Sequence, residues 1–167
     1  QTFTVGAFTV EVIWFPGHTL GQVNYLFTDP TGKSYLFTGD GIFLKSFGRP
    51  DLGGQGEAWA PIVYESIYKR LPSRIKKDTL ILPAHFSVMS EDNGQGVFAE
   101  TYKWVLENNE ALKYSEKQAF LDFVLSHLPT FPPEYVEIKR VNAGLLVPDE
   151  DKASELELGK NICALSE

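Results

Sequence analysis

Apolar and polar residues alternate from residue 8 to residue 14, with Phe8, Val10, Val12 and Trp14 set against Thr9 and Glu11. A period of two marks a half-buried strand. Short apolar runs at 3–5, 23–28, 35–38 and 79–82 predict further strands, and Asp29-Pro30-Thr31-Gly32 supplies turn residues for a hairpin between 23–28 and 35–38. The period then lengthens. Over 58–71, Ile62, Ile67 and Leu71 fall along one helical face, Lys69 and Arg70 suit the C-terminal end of the dipole, and Pro72 stops the helix. Val97, Tyr102, Val105 and Leu106 predict a helix over 97–108. Ser115 and Gln118 form a capping-box signature for a helix bearing Phe120, Leu121, Val124, Leu125 and Leu128. Pro132-Pro133 opens another that runs through Val141 and is closed by Gly144, and the acidic tail holds a short helix around 153–158. The first 40 residues are thus β-rich and the C-terminal part helical.

Three of these strands end in the same way. Pro16-Gly17 follows the strand over 8–14 and sets His18 on a tight turn; Gly39 and Gly41 flank Asp40; Pro83-Ala84 precedes His85. Either histidine could be an ordinary loop residue, and Gly-Asp-Gly also suits an Asx turn. Presented together at strand ends, however, imidazole nitrogens and a carboxylate form a ligand set that zinc or iron accepts. The glycine-rich stretch 41–56 is long for a loop inside a compact domain and is expected to be functional. It carries Arg49 and Asp51, which either pair with each other and fix the loop or contact substrate, or do both. His127 reads as a surface or dipole-complementing residue at a helix end.

Pro16-Gly17-His18-Thr19, Phe37-Thr38-Gly39-Asp40 and Leu82-Pro83-Ala84-His85, in that order, resemble the later metal-binding motifs of the metallo-β-lactamase superfamily, in particular its glyoxalase II and persulfide dioxygenase branches. Gly48-Arg49-Pro50-Asp51-Leu52 is similar to the Gly-Arg-x-Asp pattern of the dioxygenases, and Asp51 favours that branch. The stretch 132–144, with Ile138 and Asn142, and the closing Glu155-Leu156-Glu157 to Cys163-Ala164 resemble the C-terminal part of bacterial dioxygenase-like members. Leu20 and Gln22 stand where proline and serine are often seen. The resemblance implies an α+β fold, the αββα sandwich, of which this chain supplies the C-terminal sheet and its covering helices: 1–147 as the C-terminal half of the domain and 148–167 as its acidic tail. It also implies one Fe(II) held by two histidines and an aspartate, with His18 and Asp40 as two of those ligands. His85 is then a second-metal ligand or a group beside the iron that orients substrate, the catalytic candidate, and Arg49 and Asp51 are substrate-binding candidates. The implied activity is oxidation of a low-molecular-weight thiol persulfide to sulfite. The alternatives are a glyoxalase II-like thioester hydrolase using Zn(II), and a structural half that is inactive without its partner.

The superfamily's first signature, His-x-His-x-Asp-His, has no counterpart: the three histidines, His18, His85 and His127, include no close pair. The chain is therefore expected to be the C-terminal half of a larger protein. Alone, it is expected to bind iron weakly and to self-associate into a homo-oligomer or require the N-terminal half. With 167 residues, 43% hydrophobic and 13% aromatic, it can build a core. A net charge of -7 argues against nucleic acid or an anionic membrane as partner, and no apolar run reaches the roughly 18 residues of a membrane span, which leaves a soluble, cytoplasmic protein as the expectation. The single cysteine, Cys163, cannot form an internal disulfide, which fits a reducing compartment.

Overall fold

A computed structural model describes residues 1–86 and 88–157, which fall into two compact units, Gln1–Leu128 and a second that begins at Pro129. Cys163 and Leu158 lie outside the described residues.

The first unit is a six-stranded sheet in sequential order, made of β1 (Thr2–Val5), β2 (Phe8–Trp14), β3 (Val23–Thr28), β4 (Ser34–Gly39), β5 (Leu80–Pro83) and β6 (Glu100–Thr101). Strands β1 to β4 form an antiparallel meander, β5 joins β4 in parallel, and β6 returns antiparallel. The parallel step needs a crossover, which α1 (Gly56–Glu65) provides. Strands β2, β4 and β5 therefore run in one direction, and their C-terminal ends share one edge of the sheet.

One face of the sheet is covered by helices. Ile13, Leu26, Leu36 and Ile81 are buried there with Val63 and Ile67, with Val105 of α2 (Tyr102–Asn108), and with Phe120 and Val124 of α3 (Lys117–Ser126). Phe120 stacks on Phe47 and meets Tyr64 and Tyr68. The other face is apolar as well. Phe3, Val10, Phe27 and Tyr35 are successive register partners, as are Val12, Tyr25 and Phe37. Rings of Phe8, Phe27, Tyr35 and Phe37 meet edge to face, and no described helix covers them: Phe3, Phe8, Tyr25 and Phe37 are exposed. The residue of β2 that reaches the helix-covered core is thus Ile13; Val10, on the other face, is buried, and Trp14 is exposed.

Several expected elements shift, for local reasons. The helix expected over 58–71 is α-helical over Gly56–Glu65 and then widens into a π turn, Ser66–Arg70. Its buried stripe passes through Val63 instead of Ile62. Residues 100–101 pair with β5 before α2 begins, because Thr101 fills the N-cap and accepts the Trp104 N–H. The cap of α3 is Glu116, whose carboxylate accepts the Ala119 N–H, while the carbonyl of Ser115 accepts the Tyr64 hydroxyl. The second unit holds α4 (Tyr135–Asn142) and α5 (Glu150–Glu157), which Lys152 links through Glu137. No helix among the described residues is long and apolar enough to cross a membrane.

Candidate metal centre

The shared edge explains why residues far apart in sequence meet. His18, Asp40 and His85 follow β2, β4 and β5, the three strands that end there. Each connection is tied down by backbone bonds: the Phe15 N–H to the Gln22 carbonyl, the Ala84 N–H to the Gly39 carbonyl, and the Gly48 N–H to the Asp40 carbonyl. Gly17 lets the first loop lie flat on α1. Its φ is +147° and a Cβ there would overlap the Val63 side chain, so a side chain is strained as well as excluded. The Ser66 hydroxyl, at the start of the π turn, donates to the Pro16 carbonyl at 2.7 Å and ties the same loop to the helix. Gln22 donates its amide to the Thr38 carbonyl and so joins the His18 loop to the strand that leads to Asp40.

Asp40 lies between the two imidazoles. Its Oδ1 is 2.5 Å from His85 Nδ1 and its Oδ2 is 3.4 Å from His18 Nε2. These separations mean different things. At 2.5 Å the His85 N–H donates directly to the carboxylate. At 3.4 Å the atoms are too far apart for a good hydrogen bond, yet two ligands held at about 2.1 Å on one ion sit roughly 3.0–3.4 Å apart. Burial alone would push the Asp40 carboxyl up, but the imidazoles of His18 and His85 outweigh it and hold the carboxyl below its ordinary value, in the charged form that binds cations. His18 Nδ1 lies 2.8 Å from the Arg49 carbonyl, which can only accept; Nδ1 therefore carries a proton, and Nε2 is the nitrogen turned toward Asp40. A ligand imidazole held through its other nitrogen is the arrangement metal sites use. The donor set fits a metal ion, which His18 Nε2 and Asp40 Oδ2 could hold between them. Among the described residues no group of three such side chains is placed to hold an ion, and the other Asp40 oxygen meets His85.

Arg49 and Asp51 lie on the loop beside this pair and bind each other: Arg49 Nε to Asp51 Oδ1 and Nη2 to Oδ2, each 2.6 Å. The Arg49 side chain is 2% exposed. Phe43, buried on the same loop, meets the His85 ring edge to face at 5.7 Å. All five residues expected from the sequence thus gather at one edge. His127 does not join them. It caps the end of α3, where its Nδ1 donates to the Phe123 carbonyl and its ring stacks on Phe123, as a helix-end histidine should. Phe43 and Gln22 had no signal in the residue pattern, because each acts through a contact between distant loops.

A layered sheet-and-helix fold with two imidazoles and a carboxylate gathered at the sheet edge defines the class. No family model matches the chain. It is 31% identical over 162 residues to the hydroxyacylglutathione hydrolase of Photorhabdus laumondii, covering 97% of this chain and 54% of that protein. It is 31% identical over 123 residues to the probable polyketide biosynthesis zinc-dependent hydrolase BaeB of Bacillus velezensis, covering 74% of this chain and 48% of that protein. It is 34% identical over 80 residues to human persulfide dioxygenase ETHE1, covering 48% of this chain and 29% of that protein. The solved structure of a metallo-beta-lactamase from Staphylococcus aureus superposes with a TM-score of 0.70 at 27% identity, over 88% of this chain and 43% of that one. The chain belongs to the metallo-β-lactamase superfamily as a partial match, and spans about half the length, or less, of these relatives.

Proposed function

We propose that this chain supplies His18 and Asp40 to a mononuclear Fe(II) centre in a persulfide dioxygenase-like enzyme, and that the third ligand, a histidine, comes from an N-terminal half of the fold. The single observation that carries the reading is the 2.5 Å contact between His85 and Asp40. It engages one carboxylate oxygen with an imidazole and leaves the other facing His18, so that His18 and Asp40 would hold a single ion with His85 beside it. His85, with 37% of its side chain exposed, then stands at the mouth of the site and orients substrate. The metal, when bound, supplies open coordination positions for sulfur and dioxygen. The residues of this chain hold the carboxylate charged, fix the His18 ring and seat the ion against a packed edge. The net reaction takes a thiol persulfide, dioxygen and water to the free thiol and sulfite, the sulfane sulfur being oxidised. Arg49 and Asp51 belong to this reading as the charged pair on the substrate-side loop, and the single cysteine fits the reducing setting of the cytoplasm.

A second reading, thioester hydrolysis at a zinc site, is favoured by one observation: the alignment to the hydroxyacylglutathione hydrolase runs along almost the whole chain. Metal analysis and oxygen uptake on the complete protein decide between them. One iron per site with persulfide-dependent oxygen consumption is expected. Two metals per site, thioester cleavage and no oxygen uptake would establish the hydrolase.

A further inference from the structure

The geometry points to residues 48–51 as a clamp that fixes the tautomer and aim of His18, with Gly48, Arg49 and Asp51 acting as positioning residues for the metal. The inference rests on the reading of His18 as a ligand, but its evidence is separate from that reading.

Three bonds make the clamp. The Arg49 carbonyl lies 2.8 Å from His18 Nδ1 and must accept its proton. The segment that carries this carbonyl is fixed on one side by the Gly48 N–H, which donates to the Asp40 carbonyl at 3.1 Å. On the other side it is fixed by the two-pronged bond of the Arg49 guanidinium to Asp51, 2.6 Å at each prong. The same four residues thus grip the backbone of one ligand and the ring of the other. Space allows no side chain at the first position: a Cβ on Gly48 would overlap the Asp40 carbonyl oxygen and lie 2.8 Å from His18 Nδ1. A buried arginine held bidentately is also an expensive way to build a loop unless its position matters, because a buried charge is tolerated only when its partner geometry is excellent. Here two guanidinium nitrogens are held by Asp51, and the rigidity of that fork is passed through the Arg49 main chain to His18. A histidine free to adopt the other tautomer would present an N–H to the metal position instead of a lone pair.

The clamp makes a prediction about the complete protein before any metal is added. Nitrogen-15 NMR of the metal-free wild type should find a proton on His18 Nδ1. Asp51→Asn, which keeps the shape of the side chain but weakens the charged fork, should mix the tautomers and lower iron affinity in a chelator competition by roughly 10- to 100-fold, the range for groups that support a ligand. Gly48→Ala should do at least as much. Circular dichroism confirms that each variant is folded, and if one is not, the wild-type tautomer still decides. An Nε2–H tautomer in the wild type overturns the clamp, as does a folded Asp51→Asn protein with unchanged tautomer and iron affinity that loses only substrate affinity. A wild type with the expected tautomer that binds no metal upholds the clamp and overturns the proposed function instead.

Discussion

At the scale of single residues, the centre depends on one carboxylate doing two jobs at once. Asp40 takes a hydrogen bond from His85 on one oxygen and turns the other toward His18. Asp40→Asn keeps the shape but removes the charge, and an amide NH2 cannot accept from His85 or bind a cation. Metal affinity of the complete protein should fall more than about 100-fold, beyond what the loss of a supporting group causes. Plasma emission spectrometry after dialysis reads this directly, and His127→Ala, remote from the edge, should leave the metal content as it was. The ligand candidates were legible from the sequence because each is punctuated: a glycine or proline stops a strand just before it. What was not legible is how they are aimed. That the Arg49 carbonyl, and not its side chain, faces His18 follows from the path of a 16-residue loop, and no periodicity encodes such a path.

At the scale of elements, β1 to β5 were legible to within a residue or so, while β6, read as part of a helix, and the helix starts were not. β2 and β3 occupy the predicted 8–14 and 23–28, since alternation is fixed by the pleat. Helix starts are decided by whichever side chain wins the first N–H groups. Thr101 wins for α2. Glu116 wins for α3, one residue past the expected serine, because the Ser115 main chain is drawn to Tyr64. The backbone N–H groups of Ala119, Gln118 and Lys117 hold the Glu116 carboxyl below its ordinary value of 4.5. The sign follows from linkage: a carboxyl whose value is lower in the folded state adds stability that is complete above pH 4.5 and fades as the pH falls through the lowered native value. Urea unfolding at pH 7 and at pH 3 should therefore differ by less in Glu116→Gln than in the wild type. An unchanged pH dependence would show that the cap contributes nothing through its charge.

At the scale of the whole molecule, the sheet has one face covered by helices and one aromatic face that no described helix covers, where Phe3, Phe8, Tyr25 and Phe37 are exposed and the rings pack against each other. Exposed apolar surface of this extent marks a contact surface, and the proposed occupant is the second sheet of the αββα sandwich, carried by the N-terminal half. These 167 residues alone should sediment as mixed oligomers, bind iron weakly and consume no oxygen with persulfide. Supplying the N-terminal half, in the same chain or as a second one, should give a single species that binds one iron tightly. Phe37→Ser with Tyr25→Ser should reduce self-association and weaken recombination together. Active, monodisperse protein from this chain alone would sink the proposal.

The one-way run of β2, β4 and β5 also sets an order in time. The antiparallel meander joins neighbours through short turns, so β2, β3 and β4 can pair early and bring His18 and Asp40 within reach of each other. β5 must wait for a crossover of about 40 residues, and pairing across such a span is slow because the loop entropy is lost before any contact is gained. His85 therefore reaches Asp40 last. During biosynthesis there is an interval in which the carboxylate has both oxygens available, and an ion captured then would be bound by a looser, less selective site than the finished one.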